Sequence, residues 1–184
     1  MILKDLNIEK SWTLFLDRDG VINKRIVDDY VKSWEQFEFL DGSLSSFKIF
    51  AEKFGRIFII TNQQGVGKGL MTKDDVVDVH NKMKAEIENN KGRIDSIYFC
   101  PDLENKNSKN RKPETGMAQQ AKNDFPEIIF EKSIMLGDSK SDMDFGKRLN
   151  MKTVFISDDK KLIRENAEIS DFVFGSLLEF SKRI

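Results

Sequence analysis

Short apolar runs alternate with amphipathic segments along almost the whole chain, and this alternation restricts the folds that it can adopt. The apolar runs have the length and the residue types of buried strands. We predict strands over residues 13–16, 56–60, 94–99, 134–136 and 153–156, with a weaker one over residues 172–174. Between them we predict helices over residues 44–54, 115–125 and 142–149, and a last helix after residue 174. A long helix opens at Thr72, where Thr72 and Asp75 resemble a capping box with aspartate in place of the usual glutamate or glutamine.

Alternation of strands and helices at this spacing predicts an α/β fold with a doubly wound, mostly parallel sheet. A chain of 184 residues is long enough for one domain with a substantial core, so we expect a single domain over residues 1–184. In such sheets ligands bind beyond the carboxyl ends of the strands. Asp17, Thr61 and Asp138 each follow a predicted strand, which indicates a site at that edge.

Charge and composition argue against nucleic acid and membranes as partners. The net charge is -1, so the chain has no bulk attraction for a phosphate-rich polymer. No apolar run approaches the length that spans a bilayer, and residues 1–10 lack the apolar core of a signal peptide. Cys100 is the single cysteine, which excludes an internal disulfide. We therefore expect a cytoplasmic protein.

The first candidate motif is Asp17-Arg18-Asp19-Gly20, at the end of the first predicted strand. One carboxylate can attack phosphorus while the other handles the proton of the leaving group. With a backbone carbonyl, the two also supply oxygen ligands for a hard cation. Because aspartate and glycine are common turn residues, the motif alone is equally compatible with an ordinary turn.

Two further segments follow the second and third strands. In Thr61-Asn62-Gln63, a hydroxyl and backbone amides can hold the oxygens of a phosphoryl group, although an ordinary polar loop is the simpler interpretation of this segment alone. The glycine-rich residues 65–69 lack the ending and the spacing of a nucleotide-binding loop. Lys112 can neutralise charge on a nucleophile and a phosphate together, whereas a lone lysine is usually a solvated charge.

The last candidate motif runs from Gly137 to Asp142, after the fourth strand. Asp138 is well placed as a further oxygen ligand for a metal. Asp142 lies one helical turn later and can orient that site from behind. The alternative is a helix cap formed by Asp138 or Ser139.

Together and in this order, these motifs resemble the haloacid dehalogenase superfamily of phosphatases over residues 13–156. Phe-Leu-Asp-Arg-Asp-Gly-Val-Ile-Asn, Thr-Asn-Gln, Gly-Val-Gly-Lys-Gly and Arg-Lys-Pro-x-x-Gly-Met resemble its subfamily IIIA, in the branch that acts on heptose 1,7-bisphosphate and histidinol phosphate. The resemblance implies a three-layer α/β/α, Rossmann-like domain without a large cap domain. It also implies a Mg²⁺-dependent phosphomonoester hydrolase that forms a phosphoaspartyl intermediate.

The resemblance implies a role at each matching position. The implied catalytic residues are the nucleophile Asp17, the general acid/base Asp19, Thr61 and Lys112. The implied ligands of Mg²⁺ are Asp17, the backbone carbonyl of Asp19, and Asp138. The substrate contacts that we predict are Arg18, Asn62, Gln63, Arg111 and Ser139.

The sequence departs from this branch at two places. Its members commonly have a zinc loop built from three cysteines and one histidine, of which only Cys100 is present; Asp102, Ser108 and Asn110 stand at the other positions. A tetrahedral zinc site needs about four good ligands, so we expect no zinc and a loop that is held by other means or is mobile. Ser139 also stands where heptose-bisphosphate phosphatases often have lysine.

Several functions remain open at this stage. We place D-glycero-D-manno-heptose 1,7-bisphosphate first as substrate and histidinol phosphate second, both small phosphate esters. A polynucleotide 3′-phosphatase is an alternative enzyme, disfavoured by the near-neutral charge. A phosphotransferase would have to exclude water from the phosphoenzyme. A catalytically inactive binding protein is the alternative outside enzymes, and the sequence leaves the oligomeric state undetermined.

His80 and Cys100 have types of side chain that often do chemistry, but their positions favour structural roles. His80 lies within the long predicted helix, and we interpret it as a structural or surface residue away from the site. Cys100 ends the third strand, and we interpret it as a buried small residue rather than a nucleophile.

Overall fold

The structure is a computed structural model that describes residues 3–184. The chain forms a six-stranded sheet in which every strand runs parallel to its neighbours. Residues 1 and 2, the start of the segment in which no signal peptide is expected, lie outside the described residues. The spatial order is β3-β2-β1-β4-β5-β6, so β1 lies at the centre. The strands are β1 Thr13–Leu16, β2 Arg56–Asn62, β3 Ser96–Cys100, β4 Ser133–Gly137, β5 Lys152–Ile156 and β6 Phe172–Phe174.

Helices cover both faces of this sheet, which confirms the predicted three-layer α/β/α fold. They are α1 Ser43–Lys53, α2 Lys73–Asn89, α3 Gly116–Asp124, α4 Lys140–Arg148, α5 Lys160–Asn166 and α6 Leu177–Ser181. Single 3₁₀ turns lie at Leu3–Leu6, Trp34–Gln36, Glu104–Lys106, Phe130–Lys132 and Ala167–Ile169. Within residues 3–184, no helix combines the length and the apolar character needed to cross a membrane.

The sheet separates two apolar cores, because successive side chains of a strand point to opposite faces. Leu14 and Leu16 of β1 belong to the core under α1, α2 and α6, which also contains Phe50. Phe15, between them, belongs to the core under α3 and α4, where its ring lies 5.4 Å from that of Phe58. Since β1 is buried on both faces, its end is fixed from both sides.

The observed starts of the helices show which of them could be predicted from local sequence signals. Thr72 caps α2 through the predicted pair of reciprocal bonds with Asp75. The Thr72 amide donates to the Asp75 carboxylate at 2.7 Å, and the Asp75 amide donates to the Thr72 hydroxyl at 3.1 Å. We did not predict α5, which begins where the side chain of Asp159 accepts bonds from the next turn and which has few apolar residues to mark it. The helix α4 begins two residues before its predicted start, since Ser139 is its N-cap.

The register of the central strands brings the predicted site residues to one edge. Leu16 pairs with Ile59 of β2 and with Leu136 of β4, and the amide of Asp17 continues the second pairing with a 2.9 Å bond to the Leu136 carbonyl. Asp17, Thr61 and Asp138 therefore lie at neighbouring strand ends. Residues 17–42, which follow β1, form a loop with one 3₁₀ turn rather than a separate cap domain.

We expect Phe50→Ala to lower the free energy of unfolding by about 3–5 kcal/mol, because it leaves a cavity in a packed core. Phe50 is fully buried, and its ring lies within 6.0 Å of the ring centres of Phe47, Phe54 and Phe180. Urea denaturation of both proteins would measure the change. Val77→Ala, at a half-exposed position of α2, is the control and should change stability by about 0.5 kcal/mol or less; equal losses would contradict this view of the core.

Candidate active site

A cavity of about 490 Å³ opens at the carboxyl ends of the central strands. Its volume is in the range of small-molecule sites. Of the predicted site residues, those that line it are Asp17, Asp19, Thr61, Asn62, Arg111, Lys112 and Ser139. The sequence therefore identified about half of the polar wall of this cavity.

A buried ion-pair triad forms the floor of the cavity. The ammonium of Lys112 lies 2.8 Å from Asp17 Oδ1 and 2.6 Å from Asp142 Oδ1. Burial alone would lower the pKa of Lys112, but the two carboxylates hold it above its ordinary value. Burial raises the pKa of Asp17, and the lysine opposes that effect. Lys112 therefore stays cationic and favours the anionic form of Asp17.

Asn62, at the end of β2, fixes the backbone that carries this lysine. Its side-chain carbonyl accepts a 3.0 Å bond from the Lys112 amide, and its side-chain NH₂ donates a 3.2 Å bond to the Lys112 carbonyl. Both halves of the amide are thus engaged with one residue. Asn62 lines the cavity and also positions Lys112, a role that the sequence did not indicate.

The carboxylate of Asp19 is held by three donors. Arg18 Nη2 lies 2.9 Å from both of its oxygens, Asn23 donates at 2.9 Å and Gln63 at 2.8 Å. Burial would raise the pKa of Asp19, but the Arg18 guanidinium and these hydrogen bonds hold it below its usual range. Asp19 is therefore an oriented, ionised carboxylate at the cavity wall.

Arg18 and Gln63 lie behind the cavity rather than in it, which does not fit their predicted contact with substrate. Arg18 is fully buried and its guanidinium faces Asp19. Gln63 is also fully buried, and its amide donates to Asp19 and, at 3.0 Å, to the Thr61 hydroxyl. Both side chains are used to orient residues that do line the cavity.

His80 extends this buried network into α2, so it is structural as expected but connected to the site. Its Nε2 lies 3.0 Å from Arg18 Nη1. Because a guanidinium only donates, Nε2 must accept, which requires a neutral ring with its proton on Nδ1. Burial and the neighbouring Arg18 charge lower the pKa of His80 to about 3.

Asp138 joins the two carboxylates of the triad in an acidic cluster, in which oxygens of Asp17, Asp138 and Asp142 all lie within 4.8 Å of one another. Burial and the Asp17 charge raise the pKa of Asp138 to about 8. The three carboxylates contact only two cations among the described residues, Lys112 and Arg25, so negative charge is in excess. The loop approaches Asp138 closely because Gly20 has φ +87° and a Cβ there would lie 1.9 Å from Asp138 Oδ2. An all-oxygen donor set with excess negative charge fits a hard divalent cation.

Arg25 supplies a second observation about these oxygens. Its Nη2 lies 2.7 Å from Asp138 Oδ1 and 3.2 Å from the backbone carbonyl oxygen of Asp19. The two predicted metal ligands therefore do converge on one positive group. Arg25, Tyr30 and Lys68 also line the cavity. Lys68 belongs to the Gly-Val-Gly-Lys-Gly motif, but none of the three was predicted as a site residue.

The sequence left open whether this segment caps a helix or orients the site, and Ser139 and Asp142 do both. Ser139 is the N-cap of α4, and its amide and hydroxyl donate to Asp142 Oδ2 at 3.1 and 2.5 Å. The other oxygen of Asp142 contacts Lys112. The cap thus orients the carboxylate that positions the buried lysine.

The loop that departs from the zinc pattern is ordered by hydrogen bonds. The Cys100 thiol donates to Asp102 Oδ2 at 3.6 Å and lies 3.8 Å from Ser108 Oγ, which accepts a 3.3 Å bond from the Asn110 amide. Burial raises the pKa of the Cys100 thiol. These positions lie close together and contact one another directly.

A family model described as polynucleotide kinase 3 phosphatase matches residues 14–176. Among relatives, D-glycero-alpha-D-manno-heptose-1,7-bisphosphate 7-phosphatase of Mycobacterium tuberculosis is 34% identical over 93% of this chain and 90% of its own length. The enzyme of the same name from Campylobacter jejuni is 38% identical over 83% of this chain and 86% of its own length.

The fold is also similar to a solved structure, that of D,D-heptose 1,7-bisphosphate phosphatase from B. bronchiseptica in complex with magnesium and phosphate. The TM-score is 0.84 at 24% identity, over 93% of this chain and 96% of that one. This likeness confirms the arrangement of strands and helices.

We expect the single histidine signal in the proton NMR spectrum to show no titration between pH 5 and 8, since His80 has a pKa of about 3. In the unfolded chain the pKa is about 6.5. The unfolded state therefore binds the extra proton between these values, and the free energy of unfolding falls as the pH is lowered below about 6.5. His80→Gln, which keeps an acceptor for Arg18, should lose this part of the pH dependence; a His80 titration near pH 6.5 would contradict the buried pair.

We expect Cys100→Ser to fold with a loss of about 1.5 kcal/mol or less, because a hydroxyl can replace the weak thiol bonds. Loss of a ligand from a structural zinc site would cost far more. Denaturant titration measures the stability, and mass spectrometry under native conditions measures bound zinc. One equivalent of zinc in the wild-type protein, lost in the variant, would overturn the expectation.

Proposed function

This chain belongs to the polynucleotide kinase 3 phosphatase family of haloacid dehalogenase phosphatases, and we propose that it removes the 7-phosphate of D-glycero-D-manno-heptose 1,7-bisphosphate. The observation that carries the proposal is the Asp17 carboxylate at the cavity floor, 2.8 Å from the Lys112 ammonium. In the proposed first step, Asp17 attacks phosphorus, the bond from phosphorus to the sugar oxygen breaks, and a phosphoaspartate forms. Water then hydrolyses that intermediate.

Lys112 and Thr61 supply the electrostatic part of this mechanism. The Lys112 ammonium is already 2.8 Å from the attacking carboxylate, so it can offset charge that builds on the transferred group. Gln63 donates to the Thr61 oxygen, which leaves the Thr61 hydroxyl hydrogen free for a phosphoryl oxygen. Both contacts are in place before substrate enters, so little rearrangement is needed.

Asp19 is suited to move the proton. Its three donors keep it ionised, which is the form that takes a proton from the water attacking the phosphoaspartate. The same proton is then available for the leaving sugar oxygen of the next substrate. Arg18 and Gln63 serve this step by orientation alone.

The proposed cofactor is Mg²⁺, held by Asp17, the Asp19 carbonyl and Asp138. These oxygens fit because they lie together with excess negative charge and because Arg25 shows that two of them can face one cation. Bound there, the metal would screen repulsion between an anionic nucleophile and an anionic ester. The magnesium in the B. bronchiseptica structure is consistent with this choice.

The substrate class is supported by the relatives and by the cavity. Both relatives named above act, by name, on heptose 1,7-bisphosphate. The cavity also carries basic side chains besides Lys112, which suit a substrate with a second phosphate: Arg25, Lys68 and Arg111. The net charge of -1 disfavours a nucleic acid substrate, and the single buried cysteine is consistent with the cytoplasm.

Phosphate release in the presence of Mg²⁺ tests the proposal. We expect turnover of heptose 1,7-bisphosphate, in one anomer or both, and at least about a thousandfold loss in Asp17→Asn, because the amide is a poor nucleophile. Chelation of Mg²⁺ should abolish turnover, and its return should restore it.

Histidinol phosphate and a 3′-phosphorylated oligonucleotide serve as competing substrates in the same assay. A higher kcat/KM for either would replace the proposed substrate and leave the mechanism standing. Full activity of Asp17→Asn on any of them would overturn the mechanism itself. Glu38→Gln, on an exposed ion pair with Lys24, is the control variant.

A further inference from the structure

Arg25 contacts two oxygens of the proposed metal site with one nitrogen. Its Nη2 is 2.7 Å from Asp138 Oδ1 and 3.2 Å from the Asp19 carbonyl oxygen. These atoms come from different strand ends, β4 and β1, and are brought together by the close approach at Gly20. A guanidinium and a hard divalent cation therefore face the same pair of oxygens.

We infer that Arg25 is a positioning residue that exchanges with the metal: its guanidinium holds Asp138 and the Asp19 carbonyl until the metal binds and displaces it. The inference rests on the proposed metal site. Before the metal arrives, the Arg25 guanidinium is the counter-cation of these oxygens.

The charges around Arg25 explain why a counter-cation is needed. Burial would lower the pKa of Arg25, but four nearby carboxylates hold that pKa above its ordinary value: Asp138, Asp17, Asp19 and Asp142. Lys112 cannot move to serve Asp138, because it is buried between two carboxylates. Without Arg25, the Asp138 carboxylate would have no cation in contact among the described residues.

The exposure of Arg25 explains how it can leave. Its side chain is 52% exposed, and that of Asp138 15%. An ion pair at such a position contributes little to stability, and a divalent ion interacts more strongly with the same oxygens. The guanidinium can therefore swing into solvent without breaking any part of the core.

Competition of this kind reduces the apparent affinity for the metal to the intrinsic affinity multiplied by the fraction of molecules in which Arg25 has left the site. We expect Arg25→Ala to bind Mg²⁺ roughly two- to tenfold more tightly than the wild type. Arg25→Lys should lie between them, because an ammonium has one point of contact in place of a planar fork. Isothermal titration calorimetry without substrate measures all three affinities.

Lys24→Ala is the matched control. It removes the same charge from the adjacent position, but the ion-pair partner of Lys24 is Glu38, at 2.5 Å, whereas that of Asp138 is Arg25. If Lys24→Ala tightened Mg²⁺ binding as much as Arg25→Ala, the effect would be one of net charge, and the exchange would be disproved. Unchanged or weaker binding by Arg25→Ala would disprove it too.

The wild-type protein gives an independent readout through the arginine side-chain NMR signals, with that of Arg25 assigned by its loss in Arg25→Lys. Paired with Asp138, the guanidinium should rotate slowly, and addition of Mg²⁺ should release it to fast motion. An Arg25 signal that Mg²⁺ leaves unchanged would overturn the inference. Asp138→Asn separates the two proposals, because Mg²⁺ binding unaffected by this variant would refute the metal site itself.

Discussion

The rest of the site depends on one buried ammonium between two carboxylates. Removal of Lys112 would leave Asp17 and Asp142 as adjacent negative charges with little access to water, a far larger penalty than any exposed ion pair carries. The surrounding structure serves to keep this arrangement in place. Asn62 fixes the lysine's backbone from β2, and the cap of α4 fixes Asp142. Asp17, the proposed nucleophile, is therefore positioned through contacts that depend on β2 and α4.

A second layer of polar contacts lies under the first and is just as fully buried. Arg18 connects Asp19 to His80, and Gln63 connects Asp19 to Thr61. Every member that faces the cavity is thus oriented by one that does not. Such networks are favourable only when their donors and acceptors are matched, which explains why the neutral tautomer of His80 matters to a carboxylate that it never touches.

The sequence predicted the sheet and the edge at which the site lies, because strand–helix alternation and strand-end polar residues are local signals. Strand β1 and the α2 cap followed from four or five adjacent residues. The side-chain directions of Arg18 and Gln63 did not, since a motif gives the order of residues and not which side of a loop is buried. Arg25 was missed for a related reason: its partners Asp19 and Asp138 meet only once β1 and β4 pair. The helix α5 depends on one cap, Asp159, and lacks a clear apolar stripe.

The contact between Arg18 and His80 also bears on how this protein can vary. His80 lies on a helix outside the cavity and touches no residue that we propose to meet the substrate. Yet a side chain at position 80 that cannot accept from the guanidinium would strand a buried charge directly behind Asp19. In a library of random substitutions, position 80 should therefore score like a residue of the active site, while its exposed neighbour Asn81 should tolerate most changes. At position 80, tolerance to substitution is therefore set by the contact with Arg18 and not by the distance from the cavity.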